Sequence, residues 1–226
     1  MIRFCVLILS LAYAYDDVPE EYRFDWVDPD AKMYVLQNRH YTKAVHPVIS
    51  LMGGGGYAQA YQSTFSIEPR FAFYMNEQFA LEGVVTFIQN APNNNLVALE
   101  SAAKNTLPNI RQIRSQAAVF LQYAPWYGKI NVFNNILHLD WYVAAGVGFL
   151  QSYVDVRTSV AQSSQYTQQS LTAGLIGTGN IIHITQTLKG RWDLTASFYP
   201  APLDLTSGVT GWYSNYNLSV GLGVQL

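Results

Sequence analysis

The sequence predicts an all-β fold, an eight-stranded antiparallel up-and-down transmembrane β-barrel, and three observations predict it. The chain of 226 residues is 50% hydrophobic yet only 12% charged, about half the charged share of an ordinary soluble domain. From residue 45 onward apolar and polar residues alternate with period two, the signature of strands with two unlike faces. No segment after the first fourteen residues has the roughly 18 unbroken apolar residues that a spanning helix needs. A chain that crosses a bilayer without helices must cross as closed strands, because lipid leaves no partner for an unpaired backbone N–H or C=O. The mean hydropathy of +0.05 fits strands with one apolar face. The formal charge of -2 supplies no field for nucleic acid.

The first element is a predicted signal peptide over residues 1–14. Arg3 gives it a positive start, Phe4 to Leu11 an apolar core, and Ala12-Tyr13-Ala14 a small-residue cleavage site. The one cysteine, Cys5, falls inside it, so the mature chain has no disulfide to rely on. Residues 15–44 open with Asp16, Asp17, Glu20, Glu21, Asp25, Asp28 and Asp30. They read as a periplasmic N-terminal extension, partly disordered, ahead of a barrel over 45–226.

Within the barrel the first strand is expected at about Val45 to Tyr57. The cleanest alternation follows, with Phe65, Ile67, Phe71 and Phe73 on one face and Ser66, Glu68, Arg70 and Ala72 on the other. Pro69 lacks a ladder donor, so a bulge is expected there. After the turn Asn76-Glu77-Gln78, Phe79, Leu81, Val85 and Phe87 oppose Ala80, Glu82 and Thr86. A long polar connection spans Gln89 to Arg111. Ile113 to Tyr123 sets Ala117, Val119, Leu121 and Tyr123 against Arg114, Gln116 and Gln122. A turn over Pro125 to Asn135 leads to the strand Ile136 to Tyr153, and a polar loop over Arg157 to Tyr166 follows. Ser170 to Gly179 is a weaker strand. Lys189 to Tyr199 opposes Trp192, Leu194, Ala196 and Phe198 to Arg191, Asp193, Thr195 and Ser197. A loop with Pro200 and Pro202 precedes the last strand, which alternates through Leu226. The connections after strands two, four and six are mostly short, and those after three, five and seven long. Short periplasmic turns and long outer loops are the habit of outer-membrane barrels.

A soluble sandwich also alternates, so the choice of lipid for the apolar face rests on more. Gly146, Gly148, Gly174, Gly221 and Gly223 on the polar face suit a narrow barrel interior. Aromatic residues near strand ends predict a girdle: Tyr57, Tyr123, Trp126, Tyr127, Trp141, Tyr153, Trp192, Tyr199, Trp212 and Tyr213, since such rings favour the headgroup level. Glu68, Arg70, Glu82, Arg114, His138, Asp140, Arg191 and Asp193 fall on the polar face, where opposite charges can pair inside the lumen instead of meeting lipid.

Recognisable chemistry is sparse. The four histidines, His40, His46, His138 and His183, show no metal-ligand spacing. His138 and Asp140 share a strand face, but a hydrolytic triad would need a serine from elsewhere. Gly53-Gly54-Gly55-Gly56 has no following Lys-Ser/Thr pair or helix and reads as a close approach rather than a phosphate loop. No cofactor or metal is expected.

Val35-Leu36-Gln37-Asn38-Arg39 and Tyr41-Thr42-Lys43 before the first strand, Pro125-Trp126-Tyr127-Gly128-Lys129, His138-Leu139-Asp140 and Ala145-Gly146-Val147-Gly148 resemble motifs of the outer membrane beta-barrel domain proteins of gliding and predatory bacteria. The resemblance covers about Met33 to Leu226. His46-Pro47 departs from it, where an acidic residue is expected. The resemblance implies an OmpA-type architecture and an outer-membrane location, not an activity. The C-terminal alternation looks like a signal for the barrel-assembly machinery, with Leu226 in place of the commoner terminal aromatic.

Three functions compete on the sequence. The first is a structural or surface-interaction barrel whose outer loops meet outer-membrane lipid, lipopolysaccharide, or a surface or periplasmic protein partner. The second is a narrow or gated pore governed by the lumen charges. The third is a lipid-modifying enzyme using His138 and Asp140. The first is preferred.

Overall fold

The computed structural model describes residues 21–22, 33–34, 40–56, 61–102, 110–132, 135–155, 166–202 and 209–226. The expected signal peptide, most of the acidic extension, Val35 to Arg39 and Tyr57 lie outside the described residues. The chain forms two units, Met1–His40 and Tyr41–Leu226. In the first, β1 (Glu21–Tyr22) pairs antiparallel with β2 (Met33–Tyr34).

The second unit is the barrel. Its elements are β3 (Pro47–Gly56), β4 (Gln62–Tyr74), β5 (Phe79–Pro92), α1 (Asn94–Ala102), β6 (Arg111–Val132), β7 (Asn135–Asp155), β8 (Tyr166–His183), β9 (Leu188–Pro202) and β10 (Thr210–Gln225). Each strand pairs antiparallel with the next, and β10 returns to β3, with Leu222 opposite Leu51. Closure removes the free edges that an open sheet would expose to other chains.

The alternation sorts into an apolar outside and a mixed inside. On β4, Phe65, Ile67, Phe71 and Phe73 are exposed while Ser66, Glu68, Arg70 and Ala72 are buried. Outward rows run over nine positions each, from Phe65 to Phe73, Phe79 to Phe87, Trp141 to Phe149 and Tyr216 to Val224. Roughly nine to eleven tilted residues span a hydrocarbon core. Inside, Gly146 and Gly221 leave the room that large neighbours fill: a Cβ on Gly146 would collide with Phe120 and the Val119 carbonyl, one on Gly221 with Met52 and the Leu51 carbonyl.

Several elements differ from the sequence reading. Within the expected turn Pro125 to Asn135, residues Pro125 to Val132 are strand. β6 and β7 pair as far as Val132 and Asn135, and a register shift between Tyr123 and Trp126 accommodates Pro125. Pro200 and Pro202 belong to β9, opposite Trp212 and Thr210. The pairing of β9 with β8 stops at Phe198, so the missing proline donors fall where no neighbour requires them. Pro69 sits in β4 without a bulge. The pairing with β5 lapses at Glu68 and Pro69 while the register is kept, and the pairing with β3 is continuous. The polar stretch after Gln89 continues β5 to Pro92 and then forms α1. Asn93 caps that helix, its Oδ1 accepting from Leu96 N at 3.1 Å. Gly174 faces outward, not into the lumen, with nothing within 4 Å of its Cβ position.

The connections 75–78 and 184–187 lie at the end of the barrel where β3 starts and β10 finishes, as do the facing ends of β6 and β7 at Val132 and Asn135. Side chains close two of these turns. Asn76 Oδ1 accepts from Gln78 N and Phe79 N at 2.9 and 2.6 Å, and Thr185 Oγ1 accepts from Leu188 N at 2.8 Å.

Candidate functional site

The inward positions of β4, β5 and β9 bring five charged side chains into one cluster at mid-barrel. Arg70 reaches three carboxylates: Nη1 lies 3.0 Å from Glu82 Oε1 and 2.5 Å from Asp193 Oδ2, and Nε donates to Glu68 Oε2 at 3.1 Å. Arg191 holds Glu82 with both fork nitrogens, Nη1 to Oε2 at 2.6 Å and Nη2 to Oε1 at 3.0 Å. Its Nε lies 2.9 Å from Asp193 Oδ2 and donates to the Tyr142 hydroxyl at 2.9 Å. Gln122 donates to Glu82, and Asn217 to Glu68. All five ionic side chains are nearly inaccessible, with Glu82 at 0% exposure. Burying these charges is tolerable because each carboxylate meets a guanidinium, and Glu68 and Glu82 accept from neutral donors as well. Three carboxylates against two guanidinium groups leave one formal negative charge in excess.

A second cluster lies at the short-turn end. Lys43, in the segment leading into β3, is 0% exposed and places Nζ 2.9 Å from Asp140 Oδ2. His183 Nε2 donates to the same oxygen at 2.6 Å. Tyr41 stacks on His183 with ring centroids 5.1 Å apart and meets His138 edge-on at 5.0 Å. The Glu77 carboxylate accepts from the backbone N–H groups of Lys43 and Ala44 at 3.0 and 2.9 Å, fixing the segment to the β4–β5 turn. The Lys43 ammonium lies 5.2 Å from the Tyr74 ring centroid.

Apolar layers lie around these clusters. Val84, Phe120, Leu150, Leu175 and Tyr199 form one, and Val48, Ala72, Tyr74, Tyr142 and Ile181 another. The cavities beside the central cluster measure about 20 and 10 Å³, room for about one water each.

The structure thus brings together Glu68, Arg70, Glu82, Arg191 and Asp193, and places Asp140 and His138 in the other cluster. His138 bonds the Tyr127 hydroxyl through Nδ1 at 2.5 Å, while Asp140 engages Lys43 and His183. Arg114 is a correction. A register shift between Ile113 and Ser115 turns it to the outside, where it is exposed over the rings of Tyr153 and Tyr166. In the expected girdle, Tyr123, Trp126, Trp141, Tyr153, Trp192 and Trp212 face outward, with Trp141 edge-on to Trp192 at 6.0 Å. Tyr127, Tyr199 and Tyr213 face inward instead: Tyr127 bonds His138, and Tyr199 stacks on Tyr213 at 5.9 Å.

Sequence reasoning missed Lys43, His183, Tyr142 and Gln122 as partners of the charged residues, and Lys189 as a buried cation. Tyr41-Thr42-Lys43 stood out as a motif, but a segment read as extension hides a lysine that enters the barrel. His183 and Lys189 flank the short turn after β8 and pair across it, a signal that a longer reading of β8 would have exposed.

No family model and no curated protein matches the chain. Solved structures do. The N-terminal beta-barrel domain of Pseudomonas aeruginosa OprF aligns at 12% identity with a TM-score of 0.50, over 81% of this chain and 98% of that one. Neisserial surface protein A aligns at 11% with a TM-score of 0.48, over 81% and 98%. The outer membrane protein OprG from Pseudomonas aeruginosa aligns at 11% with a TM-score of 0.43, over 84% and 99%. The closed ring of eight antiparallel strands, together with the OprF alignment, gives the chain the fold of the small eight-stranded outer-membrane β-barrels.

Proposed function

We propose that this protein spans the bacterial outer membrane as a non-conducting barrel with a structural or surface-interaction role, and that it is not an enzyme. The observation that carries the reading is the filled interior. Arg70 and Arg191 tie β4, β5 and β9 together across the lumen, and Lys43 fills one end. A water path would need these pairs to part, and separating a buried pair is costly. The nine-residue apolar rows and the outward tryptophans support the membrane location. The engagement of Asp140 by Lys43 and His183 argues against its serving His138 as a catalytic partner.

The test joins fractionation, gel mobility and conductance. The protein is expected in the outer-membrane fraction, to change mobility between unboiled and boiled samples, and to give no steady channels in planar bilayers. A soluble periplasmic protein without a heat shift would overturn the membrane reading. Stable single-channel steps from the folded barrel would overturn the closed lumen.

A further inference from the structure

We propose that the outer wall carries a binding site for a phosphorylated, multi-acyl glycolipid of the lipid A type, headed by Arg114. The proposal rests on the reading of the barrel as membrane-spanning with its long connections outside. The shift between Ile113 and Ser115 sends Arg114 outward on the long-connection side of the apolar rows. Its guanidinium carbon lies 4.5 Å from the Tyr153 ring centroid and 5.7 Å from that of Tyr166. Rings beneath a planar cation hold it in place and leave its N–H edges for another partner. Among the described residues no carboxylate pairs with it. Arg70 and Arg191 in the lumen each have at least two, and Arg111 spends its donors on Ser152, Gln169 and the Pro202 carbonyl, so among the described arginines Arg114 is the one positioned to meet an external anion.

What lies beside Arg114 defines the rest of the ligand. Ser115, Gln151 and Ser170 are cross-strand neighbours in one outward row on β6, β7 and β8. They offer hydrogen bonds at the level of sugar hydroxyls and amides. Ala117 begins the apolar surface three positions from Arg114, about 10 Å along a strand. There a groove of about 940 Å³ crosses the wall from β3 to β8. Gly83, Ala117 and Gly174 make its shallow floor, and Phe71, Val147 and Phe149 its sides. An anion-binding group, a polar row and a wide apolar groove in that order match a phosphate, a sugar and several acyl chains. The width across six strands favours a multi-acyl glycolipid over a two-chain phospholipid.

Native mass spectrometry on the folded, detergent-solubilised full-length protein tests this, with diphosphoryl lipid A as the probe. Arg114→Ala is expected to weaken lipid A binding about tenfold, or about 1.4 kcal/mol, and Arg114→Lys to restore only part of it, since an ammonium keeps the charge but not the stacked fork. Gly174→Leu, which fills the groove floor, is expected to weaken binding of diphosphoryl and dephosphorylated lipid A alike. Lys129→Ala, at the other end of the barrel, should leave binding unchanged. Equal binding by R114A and the wild type, or equal binding of dephosphorylated lipid A by the wild type, would overturn the phosphate site. Phosphatidylglycerol binding as tightly as lipid A would overturn the glycolipid assignment. A heat-shift gel on each sample separates the two levels: absence of the shift in the wild type defeats the barrel reading, whereas an intact shift with indifference to Arg114 defeats this inference alone.

Discussion

Arg191 touches more of the central cluster than any neutral residue could replace. It holds both oxygens of Glu82, approaches Asp193, and lies 5.0 Å from the Tyr142 ring centroid. Its removal leaves Glu82, which is 0% exposed, with only Arg70 as a cationic partner. Arg191→Ala is therefore expected to destabilise the folded barrel by about 3–5 kcal/mol, read as a lower urea midpoint for unfolding from lipid vesicles. Arg114→Ala, on an exposed side chain, should move the same midpoint by no more than about 0.5 kcal/mol. An equal effect of the two would show that the cluster contributes little. The contrast also marks what single residues reveal in sequence. Parity along a strand assigns Glu68, Arg70, Glu82, Arg191 and Asp193 to the interior, because no register shift intervenes between them and their strand neighbours. Arg114 sits at a shift of one residue, which reverses the face of everything beyond it. Tyr199 and Tyr213 mislead for a different reason: an aromatic near a strand end fits a headgroup girdle or a lumen layer equally well, and only the register decides.

At the scale of the strand, the two faces impose opposite demands on the same residue type. Gly146 on β7 and Gly174 on β8 are both strand glycines, yet one is hemmed in by Phe120 and the Val119 carbonyl and the other has open space. Gly146→Val is expected to cost about 1–3 kcal/mol or to block folding, as overpacking of a filled interior does. Gly174→Val should fold normally, since its side chain meets the outside. Heat-shift gels on both variants check this, and a folded G146V beside an unfolded G174V would invert the assignment of faces. The existence and number of the strands were legible in the sequence because an apolar residue at every second position gives a strand one apolar face, whereas on a helix it would scatter around the axis. Their lengths were not. Pro125, Pro200 and Pro202 signal breaks in isolation, but here a bulge or an unpaired stretch absorbs each one. The helix α1 is hidden in the sequence because Asn93-Asn94-Asn95 looks like polar loop, while Asn93 serves as its cap.

At the scale of the whole molecule the orientation follows from the two unlike ends of the barrel. The connections 75–78 and 184–187 join strands with few residues, and the lead-in segment with Lys43 is fixed by Glu77 at that same end. The start of β6 at Arg111, the end of β7 at Asp155 and the start of β8 at Tyr166 lie at the other end, where longer stretches of sequence join the strands. Small barrels keep short turns in the periplasm and longer loops outside, and a lead-in segment seated at the short-turn end agrees with delivery from the periplasm. An epitope inserted between residues 160 and 161 is therefore expected to be labelled by antibody on intact cells. One inserted between Thr185 and Gln186 should be reached only after the outer membrane is opened. Both insertions fall between strands, so a heat-shift gel should show each variant folded before labelling is compared. Labelling of the second site alone on intact cells would invert the barrel. It would also carry Arg114 to the inner leaflet, where a lipid A-type glycolipid is absent, so the orientation and the proposed lipid site stand on the same geometry and are tested together by this one comparison.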